Sequence, residues 1–157
     1  MKIRDENNIL QQIAEQAIRE PGREHCVLAT AEQIDMDTYN LVDSCHAEDI
    51  GGIGEEFHFN IPAKVSMALL NICQRERIIP VVIHTHPYHG IDSYSVRFSE
   101  GDISYNDQFT ECAAEKGIPC CLFIVTDGVT IMYCSRTLHN MLYTFEEGKV
   151  SDLVEQS

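Results

Sequence analysis

Basic residues are scarce in this chain. Eleven lysines and arginines stand against 25 aspartates and glutamates, a formal charge of −14 over 157 residues. So acidic a surface repels phosphate, which speaks against nucleic acid or an anionic membrane as the main partner and makes a basic protein surface easier to accept. Long apolar runs are also missing, and none approaches the length needed to cross a bilayer. The opening Met1-Lys2-Ile3-Arg4-Asp5-Glu6 leads into a polar amphipathic segment, not an apolar signal core, so a cytoplasmic location is expected. The seven cysteines form no CxxC pair and lie mostly in apolar runs, which reads as buried, reduced thiols. Gly51-Gly52-Ile53-Gly54 lacks the Lys-Ser/Thr that a phosphate loop needs. Without repeats, low-complexity tracts or Gly/Ser linkers, a single domain over residues 1–157 is expected, with 148–157 as a frayed polar tail.

Hydrophobic spacing predicts a helix over residues 6–20, ended by Pro21-Gly22, and then strands over 26–29, 38–42 and 57–61. Pro62 suits the first turn of a helix reaching Arg77. Residues 78–84 are apolar on both faces and read as a central buried strand. A helix over 99–116, strands over 120–125 and 129–134 joined at Thr126-Asp127-Gly128, and a helix over 138–145 complete the order. The fold class is α/β (α+β), with one curved, mostly antiparallel sheet flanked by helices.

The chemistry concentrates at the end of the central strand. In Val81-Val82-Ile83-His84-Thr85-His86-Pro87, the two imidazoles lie two positions apart and so share one face of the strand. Asp102, in Ser99-Glu100-Gly101-Asp102, can complete a three-ligand site that leaves one position open, a donor set suited to zinc. Ser99 also reads as a helix N-cap with Asp102 in the positive first turn, and a capped helix start is a rigid mount for a ligand. Hydrolytic chemistry at such a site needs a general base. Glutamates at 24, 32, 55 and 56 precede the metal strand, and Glu24 is the best placed because it opens the apolar strand Glu24-His25-Cys26-Val27-Leu28-Ala29.

Glu24-His-Cys-Val-Leu, His84-Thr-His86-Pro and Ser99-x-x-Asp102, in that order, resemble the signature of the JAMM (JAB/MPN-type) zinc metalloproteases, and the succession of elements is similar along nearly the whole chain. The resemblance implies an MPN-like sheet with cytidine-deaminase-like layering. It further implies one catalytic zinc on His84, His86 and Asp102, activation of water by Glu24, and an oxyanion hydrogen bond from Ser99. The implied reaction is hydrolysis of a peptide or isopeptide bond after the C-terminal tail of a ubiquitin-like protein. Bacterial stand-alone members act with E1- and E2-like enzymes or trim sulfur-carrier proteins. Thr85 fills the variable position between the histidines and is given no catalytic role.

One departure from the family pattern is the longer stretch of twelve residues between His86 and Ser99, which would place a lid or rim beside the metal. Within it His89 and Asp92 compete as ligands, but Asp92 has no serine three residues before it. The histidines at 25, 46, 58 and 139 have no ligand-like spacing, and Cys120-Cys121 sits in an apolar setting that disfavours the thiolate. Two other functions compete. An amidohydrolase or PHP-type phosphoesterase would place His-x-His after the first strand of a larger barrel and need several later ligands. A non-catalytic MPN-type scaffold or binding module would not need all five residues.

Overall fold

The computed structural model describes residues 1–54, 59–87, 96–138 and 144–155. The chain runs β1 (Lys2–Arg4), α1 (Ile9–Arg19), β2 (Cys26–Asp35), β3 (Thr38–His46), a 3-10 turn (Ala47–Ile50), β4 (Ile53–Gly54), β5 (Phe59–Asn60), α2 (Ala63–Glu76), β6 (Ile79–Thr85) and α3 (Glu100–Glu115). It continues through β7 (Cys121–Thr126), β8 (Thr130–Arg136), β9 (Thr144–Lys149), α4 (Val150–Leu153) and β10 (Val154–Glu155). No helix among the described residues is long and apolar enough to cross a membrane.

Eight strands form one sheet in the order β10-β1-β3-β2-β6-β7-β8-β9, and β4 pairs with β5 apart from it. Pairing is antiparallel from β3 through β2 to β6 and from β7 through β8 to β9, but parallel at β10–β1, β1–β3 and β6–β7. The fold is therefore mixed α/β. Antiparallel pairing prevails only narrowly over parallel, because β6 and β7 are joined through α3 and the chain ends add parallel edges.

Alternation along the strands splits the core in two. Val27, Ala29, Val81, Ile83, Leu122 and Ile124 pack with α1 residues Leu10 and Ile13 and with α4 residues Val150 and Leu153. Cys26, Leu28, Val82, Cys121, Phe123 and Val125 pack with Val65, Leu69 and Leu70 of α2 and Phe109 of α3. Every residue of β6 is buried, as a strand covered on both faces must be. Burial also keeps two of the thiols protonated: it pushes Cys73 and Cys134 up to about 12. All seven cysteines are free.

Several expectations shift. β2 and β3 extend past the apolar runs to residues 35 and 46 as a polar hairpin around Met36-Asp37. α1 begins at Ile9, where Asp5 accepts hydrogen bonds from the N–H groups of Ile9, Leu10 and Gln11 at 2.6, 3.0 and 3.2 Å. The helix expected over 138–145 is not what its described end forms. Thr144 and Phe145 open β9 and pair with Ser135 and Cys134, so edge pairing prevails over the local helical spacing. Of the expected strand over 57–61, Phe59–Asn60 is β5, while Phe57 and His58 lie outside the described residues. Of the polar tail, Val150–Leu153 form α4, and Val154–Glu155 pair with Ile3 and Arg4 of β1.

The turn between β7 and β8 carries a backbone demand. Gly128 has φ of +97°, and a Cβ there would meet the Ala14 carbonyl oxygen and the Ile18 side chain of α1. Gly128→Ala should therefore lower the unfolding free energy by about 1–3 kcal/mol, read from denaturant titration, whereas Gly22→Ala, with nothing within 4 Å, should cost far less.

Candidate metal centre

The centre lies where β6 ends and α3 begins. β6 places His84 on the α2/α3 face together with Val82, and the chain beyond its end brings His86 back to the same side. The β6–α3–β7 crossover returns the first turn of α3 to this end of the sheet. Ser99 caps that helix. Its Oγ accepts from the Asp102 N–H at 3.1 Å, and the Ser99 N–H donates to Asp102 Oδ2 at 2.7 Å, a reciprocal capping box. The carboxylate is thereby held in one orientation. The cap uses the Ser99 hydroxyl only as an acceptor, so its proton remains able to donate.

His84, His86 and Asp102 form a compact triangle. The Nε2 atoms of His84 and His86 are 3.1 Å apart, and Asp102 Oδ2 lies 3.4 Å from the first and 3.5 Å from the second. Ligands at zinc bond lengths on tetrahedral corners stand about 3.3–3.4 Å from one another, so the donor set and its spacing fit such an ion. These three residues could hold a metal ion. Burial alone would raise the Asp102 carboxyl, but hydrogen bonds from His84 and His86, the His84 charge and the Ser99 N–H outweigh it. They hold the group far below the ordinary carboxylate range.

Glu24 stands beside the triangle. It is buried, and its Oε1 lies 3.7 Å from His86 Nε2. The β2–β6 register, with Cys26 opposite His84 and Val27 opposite Ile83, carries Glu24 to this end of β6. Two contacts reinforce it. The His25 N–H donates to Thr85 Oγ1 at 2.8 Å, and the Thr85 N–H donates to the His25 carbonyl at 2.8 Å. On the other side, Gly54 abuts the Glu24 carbonyl oxygen so closely that a Cβ would collide with it.

The structure thus brings Glu24, His84, His86 and Asp102 together, with Ser99 three residues ahead of the last. His25 is buried, with Nε2 3.2 Å from the Glu20 carbonyl oxygen, and His46 is exposed. Glu32 is exposed in the outer half of β2. Glu55, Glu56, His58, His89, Asp92 and His139, like the expected lid around 88–95, lie outside the described residues. Thr85 has a part that sequence reasoning missed. Its hydroxyl ties β2 to β6 by accepting from the His25 N–H. A β-hydroxyl beside two ligands was the available signal. Cys26, opposite His84, is held protonated by burial and then by the charges of Glu24, Asp102 and Glu48.

No protein-family model matches the chain, and no curated protein sequence does.

Removing the Thr85 hydroxyl would strand the buried His25 N–H. Thr85→Val should cost about 1–3 kcal/mol in chemical denaturation, and Thr85→Ser should restore most of it. Equal stability of Thr85→Val and wild type would mean that the tie is weak.

Proposed function

We propose that this protein is a zinc-dependent peptidase or isopeptidase of the JAMM type, with MPN-like layering, that cleaves after the C-terminal tail of a ubiquitin-like protein. The observation that carries the reading is the His84–His86–Asp102 triangle at tetrahedral ligand spacing with a buried carboxylate, Glu24, against its edge. The sheet held between helix layers supports the same reading.

Zinc, when bound, would supply Lewis acidity, polarising a carbonyl and making a water acidic near neutral pH. The protein's own groups do the rest. His84 and His86 present neutral nitrogen donors, and Asp102 brings one negative charge in a fixed orientation. Glu24 takes the proton of the attacking water and delivers it to the departing amine. Ser99 donates a hydrogen bond from its hydroxyl to the oxyanion that forms at the scissile carbonyl. With 25 acidic residues against 11 basic ones, the surface favours a substrate protein with basic residues near its tail, and E1- and E2-like enzymes of the same pathway would be natural companions.

The test is a pair of substitutions. Glu24→Gln should retain zinc at one ion per chain but lower turnover of a ubiquitin-like fusion by about 10²–10⁴-fold. His84→Ala should lose both metal and turnover. Bound zinc with undiminished turnover in Glu24→Gln would remove Glu24 from the reaction, and a wild-type protein that takes up no zinc would remove the reading altogether.

A further inference from the structure

A cavity of about 200 Å³ opens directly beside the ligand triangle, with His84 and Asp102 among its lining residues. It runs one turn down α3 from Asp102 to Asn106, across Cys26, Val82 and Phe123 of the sheet. At about 30 Å³ per water, that volume equals some six or seven waters, more than a packing defect and enough for one amino-acid side chain.

Its polar chemistry is sparse. Tyr105, also on the lining, already spends its hydroxyl on Ser66 Oγ at 2.8 Å. Asn106 does not. It is only 3% exposed, yet its side-chain Nδ2 has no hydrogen-bond partner among the described residues. Leaving a buried donor unmet costs about 1–3 kcal/mol, a cost that a bound group can relieve. Among the described residues no lysine or arginine lines the cavity, and Asp102 does line it, so a carboxylate would meet repulsion and no counter-charge.

We infer that this cavity is the subsite for the residue on the amine side of the scissile bond, and that it takes a short side chain ending in a neutral amide, of the glutamine type, held by Asn106. The inference rests on the peptidase reading for its orientation. On that reading the acyl side is the extended tail of the substrate protein, so the side-chain-sized cavity at the ligands is assigned to the group that departs. The apolar floor takes the methylenes, and the terminal amide meets the Asn106 amide.

The test uses zinc-loaded, ¹⁵N-labelled full chain titrated with N-acetyl-glutamine methylamide, and with its glutamate and norleucine counterparts. The glutamine probe should shift the Asn106 side-chain amide resonances and bind about tenfold more tightly than either counterpart. Asn106→Leu should abolish that preference without lowering the thermal midpoint, because it removes an unmet buried donor. Equal binding of the three probes, binding unchanged in Asn106→Leu, or no saturable binding of any probe would overturn the subsite. Hydrolysis of a ubiquitin-like fusion with glutamine as the first residue after the scissile bond is followed separately. If that substrate is inert while the glutamine probe still binds through Asn106, the peptidase reading fails and the amide site stands. Turnover with no preference among the probes fails the subsite alone.

Discussion

The reciprocal hydrogen bonds between Ser99 and Asp102 are the constraint on which the centre depends. They satisfy two backbone N–H groups at the start of α3 and at the same time fix Asp102 Oδ2, the atom that faces both imidazoles. A carboxylate free to rotate would lose much of its value as a ligand, because the entropy of ordering it would be set against the metal. Here the helix has already ordered it. The same residue thus serves local helix stability and the geometry of the centre.

The second requirement is a stiff sheet beneath the site. β6 is buried on both faces between the α1 and α2/α3 layers, so the position of His84 is set by core packing on each side. β2 lies against it in antiparallel register, and the exchange of hydrogen bonds between His25 and Thr85 extends that register to the strand ends. Glu24 is delivered by this extension, and Gly54 closes in behind its carbonyl. The strands carry the residues of the candidate centre at their ends while their middles supply the core.

How much of this could be read from the chain alone follows from how local each signal is. The His84–His86 pair was legible because strand alternation needs only two residues, and Asp102 because the capping pattern spans four. That Glu24 stands at the metal site was expected from the motif order, but its distance from His86 depends on which residue of β2 faces which residue of β6, and pairing between distant segments leaves little trace in either one. β1 and β10 escaped for a related reason: at three and two residues they are too short to show any period. The end of the helix expected over 138–145 misled because helical spacing is local, whereas the edge of β8 that recruits Thr144 and Phe145 is not. Asn106 stands four residues beyond Asp102, hence on the same helix face, but only the lack of a partner for its Nδ2 among the described residues gives it meaning.

The central claim is that two imidazole nitrogens and one carboxylate oxygen converge on a single ion. X-ray absorption at the zinc edge of the reconstituted protein tests it most directly. The account predicts one zinc per chain with a four-coordinate shell of nitrogen and oxygen at about 2.0–2.2 Å, two of the ligands imidazole, and loss of one oxygen donor in Asp102→Ala. A sulfur shell, or a spectrum unchanged by that substitution, would contradict it.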